Sequence, residues 1–290
     1  MRNTIALYLF LFVPVALAAR QEITFQNIVL HSAKQAEVSC LAVQCDIFLK
    51  ETYNQRLLAG DSAEAYFVEV WLKDSAEYIK ASRGFTEFTD SIGRLKMQVP
   101  LYLVYDAKLY GAFTVYIPYA AMQIGSGLQK IKPVIKVVDR AGKIMVPGFG
   151  GNYSTMEVPH KIDLRLAVKS ITVAEKDANG KNWDLHLTNP EGAKPEVYWA
   201  LKYAGKQISR SQYELNNFEF TDAEGKYTFD FAVSAEDIFY IEVLDYDVTS
   251  FSDKIGSHKI NLQELEALNG ADVTINFDYV RKMIFSLTVF

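Results

Sequence analysis

From Ile23 onward the chain is a succession of short β-branched and aromatic runs, each bounded by Gly, Pro, Asp or Ser. In the first half these fall at residues 65–72, 99–105, 112–117 and 134–138, and in the second at 164–173, 196–203, 227–233, 239–244, 273–277 and 283–290. Their lengths and residue types are those of strands, and no stretch keeps the 3.6-residue spacing of a standard amphipathic helix. Only residues 262–268 suggest a short helix, and 119–123 a helical turn. Many short strands at regular spacing predict an all-β chain. Turn formers concentrate over residues 147–160, which the pattern marks as a linker. The expectation is two antiparallel β-sandwich domains in tandem, residues 20–150 and 160–290.

The first residues break this pattern. Arg2 precedes an apolar run over residues 5–15, and Ala16-Leu17-Ala18 follows as a small-x-small site. Residues 1–18 are therefore expected to be a cleaved secretory signal peptide, with an N-terminal anchor as the alternative. The run is too short to span a bilayer, and no later apolar stretch is long enough to do so as a helix. The expected location is secreted or periplasmic.

Half of the residues are hydrophobic, with 17 Tyr and 18 Phe, which supplies enough apolar area for two cores and excludes a disordered chain. The net charge of −5 is uneven. Residues 161–290 carry 14 Lys and Arg against 21 Asp and Glu, while residues 20–160 carry 15 against 14. Nucleic-acid binding thus loses its electrostatic basis, and an acidic second half suits a cation. Cys40 and Cys45 are the only cysteines. Export favours a disulfide between them, while five-residue spacing on one regular strand favours two buried free thiols.

The chemistry concentrates in residues 241–256. A strand-like run ends at Asp245 and leads into a loop carrying Asp247, Ser250 and Asp253, before Ile255-Gly256 opens the next strand. Calcium takes six to eight oxygens from carboxylates, carbonyls and water. Asp245 and Asp247, two apart on an extended backbone, project to one side and could share an ion, and Asp253 would close the cage. The bland alternative is that Asp and Ser cap the turns of an ordinary solvated loop.

This segment resembles the third calcium-binding loop of C2 domains: a strand, Asp-x-Asp, Ser and Asp five and eight positions after the first Asp, then Ile-Gly. Lys259-Ile260-Asn261-Leu262 is similar to the strand that follows. The resemblance is close over about 25 residues, looser over some 120, and does not extend to the first half. It implies that the second domain is C2-like and that a first calcium loop lies near its start. Trp183-Asp184 and Lys194-Pro195-Glu196-Val197-Tyr198-Trp199 are similar to that loop, but Glu196 follows the Pro where the family has Asp before it. Asp184 and Glu196 are the candidate first-loop ligands, with Asp177 as a substitute for Asp184. The metal set implied is Asp184, Glu196, Asp245, Asp247, Ser250 and Asp253, holding calcium.

No constellation of comparable strength points to catalysis. Gly-x-Ser-x-Gly and phosphate-cradling glycine loops are missing, and His31, His160, His186 and His258 are scattered. The expected function is that of a non-enzymatic, exported binding protein engaging an anionic lipid headgroup or a protein partner, with Phe251 at the loop tip touching an apolar surface. The alternative is a structural or adhesive cell-envelope protein in which calcium only stiffens the fold. Tyr116-Ile117-Pro118-Tyr119 and Trp71 in the first half are expected to be core aromatics.

Overall fold

In the computed structural model the described residues are 23–49, 66–75, 77–101, 109–139, 141–177, 179–183, 194–214, 217–222, 224–246, 253–265 and 269–290. The expected signal peptide, Asp184, Asp247, Ser250 and Phe251 lie outside them.

The first half holds β1 (Ile23–Gln35), β2 (Val38–Leu49), β3 (Tyr66–Asp74), β4 (Glu77–Tyr78), β5 (Lys96–Pro100), β6 (Leu109–Pro118), β7 (Gly127–Asp139), β8 (Ile144–Gly150) and β9 (Ser154–Val158). One sheet has the order β1-β2-β6, and the other β4-β3-β7-β8, with β5 also on β3 and β9 on β7. The second half holds β10 (Lys161–Val173), β11 (Val197–Tyr203), β12 (Lys206–Arg210), β13 (Glu219–Thr221), β14 (Thr228–Ser234), β15 (Ile238–Asp245), β16 (Asp253–Asn261), α1 (Leu262–Leu265), β17 (Asp272–Phe277) and β18 (Val280–Val289). Its sheets are β13-β10-β18-β17, with β14 on β10, and β12-β11-β15-β16. Among the described residues every strand pairing is antiparallel, and none joins a strand of one half to a strand of the other.

Successive side chains of a strand point to opposite faces of the sheet, and this sorts the core-facing residues. On β3, Val68, Val70 and Leu72 are buried, while Glu69 and Trp71 depart from the opposite face. On β15, Phe239, Ile241 and Val243 are wholly buried beside Trp199, Leu201 and Tyr203 of β11.

Three expectations need correction. Residues 147–160 are not a free linker: they form the end of β8 and all of β9, both paired with β7, and only Pro159 and His160 separate β9 from β10. The glycines there are compact passages for side chains. A Cβ on Gly150 would lie 2.8 Å from the Lys132 Cε, and one on Gly148 would lie 3.3 Å from the Lys136 Cε. Second, Cys40 and Cys45 are free thiols on β2. At about 3.3 Å per residue they stand roughly 16 Å apart, far beyond disulfide reach. Burial pushes both thiols up to about 12. Third, Trp71 is buried at only 5% exposure but on the outer face of its sheet, under a lysine.

The two halves share one continuous core. The β1–β2 turn carries the contact on one side: Ser39 donates its N–H to Asp237 Oδ1 at 2.8 Å, and Glu37 accepts from Tyr240 Oη at 2.5 Å and from Lys259 Nζ at 2.6 Å. Asp237 is fully buried, and its other oxygen accepts from the Ser234 N–H at 2.9 Å and from the Tyr203 hydroxyl. On the other side, Lys161 Nζ donates to the carbonyls of Met122 and Ile124 at 2.5 and 2.6 Å. Gly84 packs against β14 so closely that a Cβ would lie 2.6 Å from the Asp230 carbonyl oxygen.

Candidate functional site

The sheet β12-β11-β15-β16 brings three of the sequence candidates to one end. Asp245, the last residue of β15, is directly opposite Val197 on β11 and Asp253 on β16, and Glu196 immediately precedes β11. Directly opposite residues share a face and place their Cβ atoms about 5 Å apart. The two carboxylates of Asp245 and Asp253 therefore start from neighbouring points on one side of the sheet. Asp245 is 1% exposed and Asp253 is on the surface. Glu196 donates its N–H to Asp245 Oδ1 at 2.7 Å, and its carbonyl accepts from the Tyr246 N–H at 3.0 Å. This reciprocal clasp fixes the end of β15 from which the loop departs.

The donors are hard oxygens, the type calcium takes. Among the described residues, no group of three or more His, Cys, Asp or Glu could hold a metal ion. Asp184, Asp247 and Ser250 lie outside the described residues. Asp177, the substitute ligand, is occupied as a turn former: its Oδ1 accepts from the N–H groups of Lys181 and Asn179 at 2.7 and 2.8 Å, and these bonds hold its carboxyl below the usual range. Gly256 has a packing reason of its own, since a Cβ there would lie 2.9 Å from the Phe277 ring.

A second surface escaped the sequence analysis. On the outer face of the β4-β3-β7-β8 sheet, Lys136 Nζ sits 4.1 Å from the Trp71 ring centroid, Lys73 and Arg94 lie 4.5 and 5.0 Å from that of Tyr78, and Lys132 lies 5.5 Å from that of Tyr153. Lys73 and Lys132 are directly opposite each other, an arrangement that like charges disfavour unless an anion answers them. Two acids lie among them: Glu69 pairs with Lys96 at 3.2 Å and Asp90 with Arg94 at 2.7 Å. The signal available in sequence was Lys130, Lys132 and Lys136, spaced by two and four along one strand and hence on one face.

No protein-family profile matches the chain, and no curated protein matches it. Among solved structures, a match described as the structure of a C2 domain has a TM-score of 0.30 and 16% identity, covering 44% of this chain and 97% of that one. The tandem pair of C2 domains of extended-synaptotagmin 2, calcium bound, matches at a TM-score of 0.31 and 11% identity over 93% of this chain and 94% of that one. A further structure of that protein, comprising its SMP domain and the same C2 pair, matches at 0.32 and 9% identity over 92% and 89%. Likeness at this level assigns no residue a role; only the chain's own loop and sheet geometry can do so.

Proposed function

We propose that the protein is an exported, non-enzymatic binding protein that docks on an anionic lipid surface with calcium held at one end of its second sandwich. The observation that carries this is the placement of Asp245 and Asp253 directly opposite one another where the acidic loop leaves the sheet. Two carboxylates starting about 5 Å apart repel, and a cation relieves that repulsion. Asp247, Ser250 and Asp184 would complete the oxygen shell, and the bound ion would order the loop and offer open positions to a headgroup oxygen. The basic outer face of the first sandwich favours an anionic lipid over a protein as the partner, because Lys73, Lys132 and Lys136 add to Arg94 and Lys96, the two that Asp90 and Glu69 answer. Phe251 would enter the apolar layer.

Vesicle sedimentation of the intact protein tests this. Phosphatidylserine vesicles should pull it down in millimolar calcium and much less in EDTA, phosphatidylcholine vesicles should not, and Lys73→Glu with Lys132→Glu should weaken the capture. Equal sedimentation in calcium and EDTA would contradict it. The deep burial of Asp245 favours one second reading: a structural envelope protein in which calcium only stiffens the fold. In that case calcium raises the melting temperature and leaves vesicle capture unchanged.

A further inference from the structure

Beside the candidate calcium end lies a cleft of about 620 Å³. Tyr213 and Tyr246 stack across it with centroids 4.4 Å apart and planes 4° from parallel, and Tyr198 meets Tyr246 edge-on at 6.4 Å. Tyr227 closes another side, its hydroxyl 3.5 Å from Gln212 Oε1. Tyr198 is buried and anchors the stack, whereas Tyr213, one face of which is taken by Tyr246, is 43% exposed. Arg210, at the end of the edge strand β12, is the one charged side chain among the described lining residues.

The lining selects a ligand class. No aliphatic side chain is among the described lining residues, which disfavours an acyl chain. A run of prolines also docks on aromatic grooves, but it brings no anionic group for Arg210, the one charge in the described lining. What is present is flat aromatic faces edged by neutral groups that both donate and accept, four phenols and the Gln212 amide, while the buried Ser211 hydroxyl is engaged by the Trp199 N–H at 3.0 Å. A pyranose ring matches this, with an apolar C–H face to stack on a tyrosine and a rim of hydroxyls for the phenols and amide. Arg210 adds a fork suited to a carboxylate. We propose that this cleft binds an acidic saccharide, a chain of sugar units bearing carboxylates, stacked on Tyr213 and held in orientation by Arg210. This site is distinct from the calcium end and is tested without calcium.

The experiment is calorimetric titration of the intact protein in EDTA with trigalacturonic acid, maltotriose and a proline-rich peptide. Trigalacturonic acid should bind, and maltotriose should bind about tenfold more weakly, the loss of one charge-assisted pair. Tyr213→Ala should weaken trigalacturonate binding at least about tenfold while Tyr213→Phe, which keeps the ring, retains most of it. Arg210→Gln should bring the two sugars to equal affinity. Melting temperatures equal to the parent's would show that the variants fold. Absence of trigalacturonate binding at millimolar concentration, binding indifferent to Tyr213→Ala in a folded variant, or preference for the proline-rich peptide would overturn the proposal.

Discussion

Asp237 is the residue on which the junction of the halves depends most. It is fully buried, and its two oxygens take the Ser39 and Ser234 amides and the Tyr203 hydroxyl. Asp237→Ala leaves two buried donors and the part-buried Ser39 amide without this acceptor, at about 1–3 kcal/mol for each buried one, so the expected loss is about 3 kcal/mol in denaturant unfolding. Nearby, Cys40 and Tyr203 are kept neutral, mainly by burial, with the Asp237 charge adding to the effect, and burial does the same for Cys45. Their folded values exceed the unfolded ones, so the stability they contribute is complete below about pH 9 and is lost as pH rises toward 12. Lys161 and Lys206, depressed by burial, act oppositely up to their ordinary value of 10.5. The thiols are therefore read by difference: Cys40→Ala should flatten the fall in melting temperature between pH 9 and 11 relative to the parent. None of this was legible in sequence, because Ser39 and Asp237 are far apart in the chain and carry no motif.

At the scale of elements, most long strands were legible from their residue types. The long β1 and β2 were not singled out, nor were the short β4, β12 and β13, and β8 and β9 hid behind Pro147, Gly148 and Gly150. Proline and glycine there mark an edge strand over which Lys132 and Lys136 pass, not a break in the sheet. Cys40 and Cys45 show the same logic: a strand of odd spacing buries both, Cys45 toward its own sandwich and Cys40 toward Asp237 in the other half. The β1–β2 turn is a strained element. Ala36 and Glu37 have φ of 46° and 64°, a two-residue turn usually served by Asn-Gly. The strain persists because Glu37 is held by Tyr240 and Lys259. Ala36→Asn, which tolerates that backbone, should raise stability by about 0.5–1 kcal/mol with the contacts of Glu37 intact. A thermal melt of the variant checks this, and a lower melting temperature would contradict it.

At the scale of the molecule, the tandem all-β plan was legible, but the degree to which the halves are fused was not. A shared core, the buried Asp237 and the Lys161 bridge predict one cooperative unfolding transition, with near-ultraviolet and far-ultraviolet signals changing together. Two separated transitions would mean that the halves are independent. The candidate metal end was legible in part. Asp245, Glu196 and Asp253 meet at one end of a sheet because the loop leaves and re-enters adjacent strands there. The first-loop match was blurred by the displaced acid after Pro195. The basic face of the first half was missed because its cations come from three strands and a turn, and only the lysines of β7 show a pattern in sequence. The most direct measurement is the melting temperature of the intact protein with and without millimolar calcium, for the parent and for Asp247→Asn. A site saturated a hundredfold would add about 2.7 kcal/mol, and a weak one, with Kd near 10⁻³ M, correspondingly less. Calcium should raise the parent's melting temperature, and Asp247→Asn should remove most of that rise while leaving the calcium-free protein slightly more stable. An unchanged melting temperature for the parent in millimolar calcium would contradict the metal site.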